Sequence, residues 1–109
     1  MITVSIYRNK TGQVCGFQAD DHGKELICAA VSTLAINCVN SIEQFTDELL
    51  VYDYHTEGGF LYCELPAIQQ GKRNRDAELL LNSLLLGLNC MAEEYPEDIR
   101  ILDQEVQNL

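Results

Sequence analysis

The sequence predicts an α+β fold, with two helices packed on a mostly antiparallel sheet in the order β-β-α-β-β-α-β. Three observations carry this prediction. Apolar residues alternate at the start of the chain, and the period changes to three or four from about Glu25. A second hairpin and a second helical stretch then follow.

Each element has its own local reason. Ile2, Val4 and Ile6 alternate with Thr3, Ser5 and Tyr7, giving a half-buried strand. Asn9-Lys10-Thr11-Gly12 is turn chemistry, Val14–Ala19 returns as a second strand, and Asp20–Gly23 breaks the pattern. Ile27, Val31, Leu34, Ala35, Cys38, Ile42 and Phe45 then mark one face of a helix. Leu49–Tyr54 and Phe60–Leu65 flank a polar Gly-Gly turn at Glu57–Gly59 as the second hairpin, and Pro66–Arg75 reads as a polar loop. Asp76–Tyr95 carries a stripe of Leu80, Leu84, Leu88, Met91 and Tyr95. Leu81, Leu85 and Leu86 widen it, which predicts a helix buried on more than one side. Pro96 ends that helix, and Ile99–Leu102 forms a last short strand.

The 109 residues suit a single domain spanning 1–109, without repeats, low-complexity tracts or linkers. Hydrophobic residues at 47% and charged residues at 22% exclude a disordered chain. A formal charge of −10 disfavours direct nucleic-acid binding, which needs a basic footprint, and suits a basic partner. The first residues lack the basic and apolar regions of a signal peptide, and Leu79–Leu88 is about half a membrane span. Cysteines 15, 28, 38, 63 and 90 are odd in number and show no zinc spacing. The expectation is a cytoplasmic protein with free thiols, no membrane partner and no metal.

A thiol attacks as thiolate, and an imidazole can take its proton, so a nearby His–Cys pair is the first place to look for chemistry. His22 lies in the break before the first helix. Cys28 lies in that helix's first turn, where unpaired N–H groups and the helix dipole favour negative charge. Cys28 stands one residue off the core stripe, Ser32 follows one turn later, and small Ala29 and Ala30 leave room for a peptide. The competing readings are ordinary ones: a buried cysteine acting as a small hydrophobe, a solvated loop histidine, and a serine bonded to the carbonyl of Cys28. Cys15, Cys38, Cys63 and Cys90 read as structural, and His55 as a hairpin residue. Glu93, Glu94, Glu97 and Asp98 read as a solvated face.

Gly23-Lys24-Glu25-Leu26-Ile27-Cys28-Ala29-Ala30-Val31-Ser32 resembles the signature of the bacterial ribosomal-processing cysteine proteases (Prp, YsxB-like). The likeness extends to the opening strand, Gly16-Phe17, Ser41-Ile42-Glu43, Gly58-Gly59-Phe60, the leucine-rich segment Leu79–Leu88 and Glu94-Tyr95. The resemblance implies a homodimeric cysteine endopeptidase without a cofactor. It would remove the N-terminal extension of large-subunit ribosomal protein twenty-seven during ribosome assembly, cutting between an apolar and a lysine-rich segment. The family's nucleophile falls on Cys28, its serine on Ser32 and its acid on Glu25.

One departure stands out. Family members carry Gly-His-Ala and a flexible loop before the cysteine segment, whereas here Asp21-His22-Gly23 runs straight into it. In one alignment His22 is the catalytic base. In the other the catalytic histidine is gone, leaving a non-catalytic ribosome-assembly or peptide-binding homologue. Six extended residues span at most about 20 Å, so a folded-back segment can bring His22 to Cys28. The shortened loop predicts a more open Cys28, a more tightly tethered His22 and weaker cleavage. A third class is a dimerising structural protein with thiols in its core.

Overall fold

The computed structural model describes residues 1–55 and 57–106. Its elements are β1 (Ile2–Arg8), β2 (Val14–Asp20), α1 (Glu25–Phe45), β3 (Val51–Tyr54), β4 (Phe60–Glu64), α2 (Pro66–Gln69), α3 (Arg75–Glu94) and β5 (Ile99–Glu105). The α+β expectation holds. The strands form one five-stranded sheet in the order β3-β4-β2-β1-β5. All neighbours are antiparallel except β1 and β5, which run parallel.

Register explains which residues meet. Val4 lies opposite Ala19 and Ile6 opposite Phe17; Phe17 and Ala19 lie in turn opposite Cys63 and Leu61. Strand side chains alternate, so these residues share the face that α1 and α3 cover. Phe17, Ile6, Ile42, Leu65, Ile68, Leu81 and Leu88 are almost wholly buried, each such burial contributing about 1.5–3 kcal/mol. Gly16 lets β2 and β4 close up, since a Cβ there would lie 2.6 Å from the Cys63 carbonyl oxygen.

Four expectations need correction. The segment read as a polar loop from Pro66 opens with α2, because Pro66 suits a first helical position and Ile68 buries its side chain completely. The last strand runs to Glu105, because its parallel ladder with β1 continues until Arg8 faces Glu105, with the Arg8–Asp103 ion pair at 2.8 Å beside it. The apolar face of α1 stops at Ile42, leaving Phe45 at 73% exposure past the sheet. On α3 the buried residues are Ala77, Glu78, Leu81, Leu84 and Leu88, whereas Leu79 and Leu86 face outward. With one face packed against α1 and the sheet, no second surface among the described residues covers them.

By length and composition α1, rather than the leucine-rich α3, is long and apolar enough to cross a membrane. Here Ile27, Val31, Ala35, Cys38, Val39 and Ile42 bury its apolar side in the fold.

Candidate active site

The four-residue connection between β2 and α1 folds back tightly, and each of its residues is tied down. Asp21 takes φ 73°, a left-handed conformation that aspartate tolerates better than most residues. Its N–H donates to the Gly59 carbonyl at 3.1 Å. The Met1 ammonium donates to the His22 carbonyl at 3.3 Å, and the Lys24 ammonium lies 3.8 Å from Asp98. Gly23 meets Cys28 itself: its N–H donates to Cys28 Sγ at 3.3 Å, and the thiol donates to its carbonyl at 3.7 Å.

This connection opens into a cavity of about 430 Å³, a volume suited to part of a peptide. His22, Glu25, Cys28 and Ser32 all line it. The His22 ring rests on the β3–β4 turn. A Cβ built on Gly59 would lie 2.5 Å from Nε2 and 2.9 Å from Cε1, at a residue whose φ of +86° already requires glycine. Packing therefore seats the imidazole. No hydrogen bond joins it to Cys28 among the described residues.

Cys28 is half-buried at the margin of the core. Its N–H is spent within the helix on the Lys24 carbonyl at 2.9 Å. Lys24 is the N-cap residue and makes no side-chain cap bond, so among the described residues no side chain satisfies the first-turn N–H groups before Cys28. Glu25 is the first helical residue and does not act as a cap. Ser32 is exposed and makes no bond to the Cys28 carbonyl among the described residues. The expectation that Ala29 and Ala30 shape the approach is corrected: Ser32 and Ile36 line this wall, at the helical spacing that returns to the face of Cys28.

The other thiols differ. Burial pushes both Cys38 and Cys63 up to about 12 and also raises Cys15, so all three stay protonated near neutral pH. Cys38 donates to the Leu80 carbonyl at 3.7 Å. Cys90, read as structural, is instead exposed on α3.

Sequence reasoning missed His55, Tyr54 and Phe60, which line the same cavity. His55 packs on Phe60 with ring centroids 5.1 Å apart. The signal was faint because only the β2–β4 register, with Asp20 opposite Phe60, carries the hairpin end to the cysteine segment.

A thiol held between a backbone donor and acceptor, an imidazole on the same cavity and an uncapped helix start can support nucleophilic chemistry. Residues 1–100 match the family described as cysteine protease Prp. The ribosomal processing cysteine protease Prp of Staphylococcus aureus is 32% identical over 107 residues, covering 93% of this chain and 97% of that protein. Its counterpart in Bacillus subtilis is 23% identical over 107 residues. The S. aureus protease in complex with a covalently linked product peptide superposes with a TM-score of 0.84 at 32% identity, covering 95% of this chain and 100% of that one. The same enzyme with a substrate peptide gives 0.83 at 31% identity.

Proposed function

The chain belongs to the Prp family of cysteine proteases, and from that premise we propose that it is a ribosomal-processing endopeptidase with Cys28 as nucleophile and His22 as base. The observation carrying this reading is the single cavity lined by Cys28, His22, Glu25 and Ser32. The proposed substrate is the precursor of large-subunit ribosomal protein twenty-seven, cut between its apolar and basic N-terminal segments. The formal charge of −10 suits the basic part. A homodimer and a cytoplasmic location belong to the same reading; Leu79 and Leu86, exposed on α3, offer apolar surface for the former.

The chemistry is acyl transfer. His22 takes the Cys28 proton, and the sulfur attacks the scissile carbonyl carbon. First-turn N–H groups of α1 stabilise the oxyanion that forms. His22 then protonates the departing amine as the C–N bond breaks, and water hydrolyses the thioester to release the acid and the thiol. In this reading Gly59 positions the imidazole, Ser32 solvates the site, and Glu25, which lines the same cavity, orients His22. The thiol must turn from Gly23 toward the imidazole, a tightening that substrate commonly brings about.

A second reading draws on that same contact. With both thiol partners on Gly23, a homologue that binds the peptide without cutting it is the alternative. Incubating the chain with the unprocessed ribosomal protein and reading products by mass spectrometry separates the two. The expected result is one cut that Cys28→Ala abolishes while the fold persists. Binding without any cut would overturn the proteolytic reading.

A further inference from the structure

The geometry points to the free edge of β3 as a main-chain docking rail that takes the substrate peptide as a sixth strand. This rests on the peptide-processing reading above and adds how the peptide is held. β3 ends the sheet order, and all four of its residues are exposed. The His55 N–H donates to the Phe60 carbonyl at 3.1 Å, which sets the phase of the hairpin. In an antiparallel pair, residues alternate between facing the partner strand and facing away. Asp53 and Val51 therefore turn their backbone groups toward β4. Tyr52 and Tyr54 turn theirs outward, where no strand pairs with them among the described residues.

Side-chain placement makes this edge selective. Tyr52 and Tyr54 lie opposite Cys63 and Leu61, whose side chains are on the helix-covered face. The two tyrosine rings stack at 6.5 Å with an interplanar angle of 6° and remain 43% and 47% exposed. Tyr54 lines the Cys28 cavity, so the rail runs continuously into the candidate site. Across the cavity, Ile36 stands two helical turns, about 12 Å, beyond Cys28. Glu25, with Asp21 just before it, lies on the other side of Cys28 along the chain and lines the same cavity. An apolar peptide half thus fits beside Tyr52, Tyr54 and Ile36, and a basic half fits beside Asp21 and Glu25.

Charge selects the occupant. Sheet edges are commonly blunted by lysine, proline, a bulge or shortness; β3 is short, at four residues, but carries neither lysine nor proline, and its one charged residue is Asp53. The cavity end of the rail carries Asp21 and Glu25, which attract the basic half of a peptide and are not matched by Asp53, the one charge a second β3 would bring. Strand addition also makes a specific demand: peptide main-chain groups matter at alternate residues, and side chains at alternate residues face the tyrosines.

The test uses Cys28→Ala, so that binding is read without turnover, and a synthetic peptide with an aromatic-apolar half followed by a lysine-rich half. Single backbone N-methyl groups are walked along the apolar half, and affinity is measured for each analogue. The expected pattern is a loss of about tenfold at every second residue and little change between. Tyr52→Pro, which removes an outward N–H, should weaken the unmodified peptide by a similar factor more than Tyr52→Ala does. A flat or non-alternating N-methyl profile would overturn the rail, as would a Tyr52→Pro effect on self-association instead of peptide affinity. Alternating losses together with no cleavage by the unsubstituted chain would support the rail and refute the protease reading. No binding at all would refute both.

Discussion

The two long helices begin in opposite ways. At the start of α3 the chain satisfies its own backbone: Asn74 accepts the Ala77 N–H at 3.1 Å, and Glu78 accepts the Asn74 N–H at 2.8 Å. Arg73 then clasps Glu78 at 2.9 Å. At the start of α1, Lys24 supplies no cap, and the first turn borders a cavity. Orphan N–H groups are a stability liability, so leaving them uncapped next to a thiol is consistent with their being kept for a developing negative charge. One helix start serves stability, and the other is available for chemistry.

The largest effect that would sharpen this contrast is at His22. His22→Ala should lower cleavage by at least about a hundredfold and slow alkylation of Cys28 near neutral pH. Cys38 and Cys63 should stay unreactive in both proteins, because burial holds their thiols up at about 12. Unchanged Cys28 alkylation in the variant would mean that the catalytic histidine was lost with the loop. Next is Lys24→Ser, which gives α1 the cap it lacks. Melting should show a gain of up to about 1 kcal/mol, while turnover falls about tenfold as the new hydroxyl competes for the oxyanion donors. A stabilised variant with full turnover would break the comparison.

The matching change at the other helix is Asn74→Ala, expected to cost about 1 kcal/mol of stability in denaturant titrations and to leave cleavage unchanged. The smallest effect concerns pH. Hydrogen bonds from Arg73, with help from the Asn74 N–H, hold the Glu78 carboxyl below its ordinary value of 4.5. The folded chain therefore binds that proton less tightly than the unfolded chain. The resulting stabilisation is present above pH 4.5 and is lost as pH falls through the lower folded value. Glu78→Gln should flatten the acid side of the stability profile, and an unchanged slope would show that this pair contributes nothing measurable.

Much of the fold was legible because its signals are local. Alternation at Ile2, Val4 and Ile6 and the three-four spacing from Ile27 to Ile42 follow from strand and helix geometry alone. The same periodicity put Cys28 just off the core stripe, and the structure finds it half-buried there. Periodicity misled where burial depends on what lies opposite. Leu86, at 67% exposure, extends an apolar stripe that no neighbour among the described residues covers, and Phe45 overruns the sheet. In the same way, Cys90 looked like a core thiol only because it adjoins Met91.

The sequence by itself determined the strands and the two long helices, the acidity and a thiol in the first turn of a helix, since each depends on residues close together in the chain. Only the tertiary structure decided that the Gly58–Gly59 turn would seat His22, that His55, Tyr54 and Phe60 would share the cavity of Cys28, and that β3 would be left as an open edge. Those outcomes depend on strand register and sheet order. Both are set by side-chain packing between residues more than thirty positions apart, such as Phe17 against Cys63 and Ala19 against Leu61.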